Sequence, residues 1–151
     1  MSELKRILLA EDNANDVELT LTALSRHNLA NEVVVVPDGA EALDYLYRRG
    51  QFADRRKGNP AVLLLDLKMP KVDGLEVLRV VKKDPILNAI PIVMLTSSRE
   101  EQDLVKSYQL GANAYVVKPV DFQAFMEAVS ELGAFWAIIN EAPPGSIPRS
   151  S

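Results

Sequence analysis

Five short apolar runs recur along the chain, each followed by a helical pattern: Ile7-Leu8-Leu9-Ala10, Val33-Val34-Val35-Val36, Ala61-Val62-Leu63-Leu64-Leu65, Ile92-Val93-Met94-Leu95 and Ala114-Tyr115-Val116-Val117. The runs are largely continuous rather than alternating, as in strands buried on both faces. Strands that alternate with helices predict an α/β fold with a parallel sheet and right-handed crossovers, so helices should cover both faces.

The helical stretches carry their own punctuation. Asn13 is expected to cap the first helix, with Asp16 as its capping-box partner and Val17, Leu21 and Leu24 on one face. Asp38 should cap a second helix with Ala42, Leu43, Leu46 and Tyr47 inward, closed by Gly50. A polar loop follows from Gln51 to Pro60, in which Arg55-Arg56-Lys57 is read as a solvated run. The third helix starts at about Gly74, turns Leu75, Leu78 and Val81 inward, and stops at Pro85. A fourth helix is expected over about Arg99 to Leu110, closed by Gly111. Asp121 should cap a fifth, with Phe122, Phe125, Met126, Val129, Leu132 and Trp136 on one stripe.

With 151 residues, one domain is the expectation, since domains run to about 100–200 residues. Residues 1–140 should form it, with an extended last helix, and 141–151, rich in proline and serine, should be a flexible tail. A net charge of -4 argues against a nucleic-acid partner, which calls for a basic excess. The absence of cysteine excludes disulfides, thiolate zinc sites and thiol catalysis. No apolar stretch approaches the ~18 residues of a spanning helix, and the first residues form no secretory core. No membrane association and a cytoplasmic location are therefore expected.

In an open parallel sheet the functional crevice lies beyond the carboxyl ends of the strands. Strand one ends in Glu11-Asp12, strand three in Asp66, strand four in Thr96 and strand five in Lys118. Three carboxylates brought into one crevice repel each other unless a cation compensates. Lys118 is one compensator; a hard divalent ion with oxygen ligands, such as Mg2+, is another.

The residues ILLAEDN, LLLDLKMPKVDGLEVL, IVMLTSS and GANAYVVKP, in that order, resemble the receiver domain of two-component response regulators over about residues 4–140. The segment Tyr45–Pro60 and the aromatic end of helix five further resemble single-domain receivers paired with phytochrome-type histidine kinases. The resemblance implies a doubly wound, flavodoxin-like (βα)5 fold with strand order 2-1-3-4-5. It implies that Asp66, ionised at pH 7, takes a phosphoryl group from a sensor histidine kinase. Asp12, Asp66, the Lys68 backbone carbonyl and, through water, Glu11 would hold Mg2+ or Mn2+. Lys118 would pair first with Asp66 and then with a phosphoryl oxygen, and Thr96 and the Ser97 N–H would bind the others. The Lys118-Pro119 bond is a candidate cis peptide. Thr96 and Tyr115 would form the switch, and Lys68 and Ser98 would tune the acyl-phosphate lifetime.

Output would then be protein contact, or onward transfer to a histidine phosphotransfer protein in a relay. The chain would catalyse its own phosphorylation and dephosphorylation, without turnover of a separate substrate. Phe135, Trp136, Ile138 and Ile139 make the helix five region the expected homodimer interface. His27, the single histidine, suits neither a histidine-rich metal site nor phosphotransfer. A flavin protein of this sheet order would need a phosphate-cradling loop after strand one, where Glu11-Asp12-Asn13 is acidic. A phosphatase with a strand-end aspartate nucleophile would need a general acid two residues on, where Lys68 stands.

Overall fold

A computed structural model of the chain describes residues 5–25, 31–97 and 114–131. Its elements are β1 (Lys5–Ala10), α1 (Ala14–Ser25), β2 (Asn31–Val36), α2 (Gly39–Tyr47), β3 (Val62–Asp66), α3 (Gly74–Lys83), β4 (Ile92–Thr96), β5 (Ala114–Val117) and α4 (Phe122–Glu131), with 3-10 turns at Gly50–Phe52 and Leu87–Ala89. The five strands form one parallel sheet in the order β2-β1-β3-β4-β5. This is the flavodoxin-like order expected.

The continuous apolar runs have their physical reason in the two cores. Leu8, Leu63, Leu65, Ile92 and Met94 pack with α2 and α3 side chains such as Leu46, Val77, Leu78 and Val81. The alternate residues Ile7, Leu9, Leu64, Val93 and Leu95 pack on the other face with Leu24 of α1 and Phe125 and Val129 of α4. Every residue of β3 and β4 is buried, and all are apolar except the last of each strand, Asp66 and Thr96.

The caps at Asp38, Asn13 and Asp121 are made as expected: their carboxylate or amide oxygens accept from the N–H of Glu41, Asp16 and Ala124 at 2.9, 3.0 and 2.8 Å. Asp73 does the same for α3 through Glu76.

Three expectations are corrected. Tyr47 is surface-exposed at 40%, and Tyr45 is the buried tyrosine. Tyr45 lies one turn after Ala42 on the inward face, whereas the Tyr47 hydroxyl donates to Asp84 at 2.9 Å. Helix α2 is closed by Arg48 in the left-handed conformation, φ 55°, before the chain reaches Gly50. Arg55 is not solvated: its guanidinium lies 4.1 Å from the Tyr45 ring centroid and donates to the carbonyl of Tyr45 at 2.6 Å. Its neighbours Arg56 and Lys57 are exposed as expected. The expected fourth helix, Leu132, the aromatic end of helix five, His27 and the tail all lie outside the described residues. Among the described residues no helix is long and apolar enough to cross a membrane.

Gly74 opens α3 directly against the end of β3. A Cβ there would lie 2.0 Å from the Asp66 carbonyl oxygen and 3.0 Å from Leu67 Cα. Backbone cannot yield as a flexible side chain can, so overpacking of about 1–3 kcal/mol is expected for Gly74→Ala. The urea midpoint should fall accordingly; an unchanged midpoint would show that the β3–α3 junction has slack.

Candidate functional site

The strand register brings the expected residues to one edge. Ala10 pairs with Leu65, so the next residues, Glu11 and Asp66, leave the sheet side by side. Asp66 pairs with Leu95, putting Thr96 one step beyond, and Thr96 pairs with Val117, the residue before Lys118. Backbone bonds extend the tips past the last ladder positions: Glu11 N–H to Val36 O at 3.0 Å, Leu67 N–H to Leu95 O at 3.0 Å and Lys118 N–H to Thr96 O at 2.7 Å. The Lys118-Pro119 bond is cis.

A cleft of about 270 Å3 opens between these tips, lined by Glu11, Asp12, Asp16, Asp66, Lys68, Thr96, Ser97 and Lys118, with Asn13 and Leu67. Glu11, Asp66 and Thr96 are buried, while Asp12, Lys68 and Ser97 are exposed at its mouth. One carboxylate oxygen from each of Glu11, Asp12 and Asp66 lies within 4.8 Å of the others. Oxygen-only donors of net negative charge at that spacing fit a hard divalent cation. Thus all but two of the residues singled out in the sequence line one cleft. Tyr115 instead sits half-buried on β5, packed against the α2/α3-side core. Ser98 lies outside the described residues.

Lys118 is the positive centre of the cleft. Its ammonium donates to Glu11 Oε1 at 2.8 Å and Asp16 Oδ2 at 2.9 Å, and lies 3.4 Å from Asp66 Oδ1. Its pairing is thus shared among three carboxylates rather than given to Asp66 alone. Burial works against the ammonium, but the hydrogen bonds to Glu11 and Asp16 and the charges of Asp66 and Glu11 outweigh it and raise its pKa.

Asp16 is the site residue that sequence reasoning missed. Its expected role, reaching back to the Asn13 N–H, is already filled by Glu11 Oε2 at 3.1 Å. A carboxylate in the first turn of α1, four residues after Asp12, was the available signal.

The Asp66 carboxyl departs from its ordinary acidity. Burial, then the neighbouring Glu11 charge, raise its pKa to about 7 despite the opposing Lys118. Without a further cation its carboxyl is therefore not fully ionised at neutral pH.

Comparison with known proteins gives one family. The response regulator receiver domain family matches residues 7–130. Response regulator Rcp1 of Synechocystis sp. is 36% identical over 132 residues, 87% of this chain and 88% of Rcp1. The crystal structure of its Mn(2+)-bound form superposes with a TM-score of 0.72 at 33% identity, covering 96% of this chain and 99% of that one. The structure of the bacteriophytochrome response regulator AtBRR has a TM-score of 0.85 at 64% identity, covering 93% of this chain and all of its own. The phosphorylated cyanobacterial phytochrome response regulator RcpA has a TM-score of 0.75 at 39% identity, over 95% of this chain and 100% of RcpA.

The Asp66 pKa has a signed consequence. Its folded value, about 7, exceeds the ordinary 3.8, so between these values the folded protein holds a proton that the unfolded chain has released. In metal-free protein this contribution to stability is full below about pH 4 and is lost as the pH rises through about 7. Urea unfolding of wild type and Asp66→Asn across that window should show the wild type losing stability relative to the variant; parallel curves would refute the shift. Divalent-ion affinity, measured by calorimetry, should weaken by about tenfold per pH unit below about 7, because binding must displace that proton.

Proposed function

This chain belongs to the response regulator receiver family, and we propose that it accepts a phosphoryl group on Asp66 from a sensor histidine kinase. The observation that carries the reading is the meeting of Glu11, Asp12, Asp66 and Lys118 in one cleft at the tips of three different strands. The likeness to AtBRR and RcpA supports a phytochrome-type kinase as the donor and favours a regulator that acts by contact over an intermediate relay carrier. Such a role belongs in the cytoplasm.

An ionised Asp66 oxygen attacks the phosphorus of a phosphohistidine protonated on its other ring nitrogen; an acyl phosphate bond forms, and the P–N bond breaks with its electron pair passing to the ring, so that histidine leaves neutral. Mg2+ or Mn2+, held by Asp12, Asp66, the Lys68 carbonyl and, through water, Glu11, would keep Asp66 ionised and offset the charge gathering on the phosphoryl oxygens. Lys118 and the Thr96 hydroxyl bind those oxygens, with the Ser97 N–H beside them. The added charge of about -1.5 to -2 draws Thr96 inward, and Tyr115 on the neighbouring strand follows into the vacated space. Lys68 and Ser98, each two residues after a reacting side chain, tune the lifetime of the acyl phosphate. The region beyond α4, with Phe135 and Trp136, is the proposed homodimer interface.

Incubation with Mg2+ and acetyl phosphate should add the mass of one phosphoryl group to the wild type and nothing to Asp66→Asn. On removal of the donor, Lys68→Ala should change the decay rate by more than twofold. Modification of Asp66→Asn would exclude Asp66 as the acceptor. Sedimentation at tens of micromolar should show a dimer that Trp136→Ala weakens; a monomer with and without phosphorylation would remove the interface.

A further inference from the structure

We propose that Asp16 is a positioning residue that draws the Lys118 ammonium away from Asp66, so that the lysine touches the nucleophile only by the longest of its three ion pairs; the inference rests on the phosphoryl-acceptor role given above to Asp66. An ammonium has three protons and no acceptor. Two short bonds commit two of those protons, to Glu11 at 2.8 Å and Asp16 at 2.9 Å, while Asp66 stands off at 3.4 Å. The two tethers come from separate elements. Glu11 follows β1 and Asp16 lies in the first turn of α1, so the ammonium is held from two sides. Lys118 is itself largely enclosed, its side chain 10% exposed, whereas Asp16 is 28% exposed.

Asp16 is in turn placed by its own helix start. Its N–H donates to Asn13 Oδ1 at 3.0 Å, and the Asn13 N–H donates to Glu11 Oε2 at 3.1 Å. The two tethers thus belong to one hydrogen-bonded turn, Glu11–Asn13–Asp16, which locates both carboxylates before any ligand arrives.

Without Asp16 the ammonium keeps one strong tether and a nearby anion, Asp66. It should then close on Asp66 and take up the lone pairs that must attack phosphorus. Glu11 alone is a poor substitute, because it also lies within 4.8 Å of Asp12 and Asp66 and is drawn toward any cation they hold. Asp16 is outside that carboxylate triad and stays available to the lysine.

The test is Asp16→Asn, which keeps shape and helix start but removes the charge. With Mg2+ and a series of acetyl phosphate concentrations, the saturating rate of Asp66 phosphorylation should fall at least fivefold. The half-saturating concentration should not rise, since one fewer negative charge cannot repel the anionic donor. In a Lys118→Ala background the same substitution should change the rate by less than twofold, because the residue acts through the lysine. An additive loss there, or a saturating rate within twofold of wild type in the single variant, overturns the proposal. A readout independent of turnover is the lysine ammonium signal of 15N-labelled, metal-free protein. Held by two carboxylates, Lys118 should give a slowly exchanging resonance that Asp16→Asn abolishes; an unchanged resonance overturns the proposal. If wild type gains no phosphoryl group, the acceptor reading of Asp66 fails, and the resonance still decides whether Asp16 holds the lysine.

Discussion

The Lys118 ammonium faces three carboxylates at the carboxyl edge of the sheet, and a fourth, Asp12, stands at the mouth. Glu11 and Asp66 are buried, so water cannot screen the imbalance. Removing one member of a buried ionic cluster commonly costs about 3–5 kcal/mol, because the remaining charges are left uncompensated. Lys118 therefore stabilises the cleft, yet it cannot neutralise all of it. Burial, and then the residual negative charge of Glu11, raises the Asp66 pKa, and the uncompensated oxygens are suited to a divalent ion.

That cluster needs a backbone that does not relax away from it. Two glycines supply the close approaches. Gly74 lets α3 start against the Asp66 carbonyl, and Gly39 lets α2 start where a Cβ would meet the Val72 carbonyl at 2.0 Å. Both helices are then tied by aspartate caps, and the Asp38 cap is also paired to Lys71 at 3.5 Å across the β3–α3 connection. The loops around the cleft are therefore built on helix starts that are fixed by packing as well as by hydrogen bonds. A site on such a frame holds its carboxylates together against their mutual repulsion.

Much of this was legible in the sequence because burial on both faces leaves an unmistakable run. β1, β3, β4 and β5 each read as apolar stretches ending in a polar side chain, and those side chains do line the cleft, with Asp12 next to Glu11. What was not legible depended on partners distant in sequence. Asp16 reads locally as a capping residue, and only a lysine 102 residues away gives it another use. Tyr45 and Tyr47 differ in burial because Phe52 and Arg55 fold back over Tyr45, its ring centroid 5.1 Å from that of Phe52. The raised pKa of Asp66 likewise arises from an enclosure and a neighbouring Glu11 that composition does not reveal.

The same enclosure explains how a local charge could be felt at a distance. Thr96 ends β4 buried, and Lys118 N–H is bonded to its carbonyl at 2.7 Å. Thr96 thus joins β4 to the end of β5, where it also pairs with Val117 in the ladder. Tyr115 pairs with Met94 in the ladder and rests half-buried against the core on the α2/α3 face. Since the buried strands resist deformation, the displacement of Thr96 in the proposed switch would find its outlet in that half-buried ring.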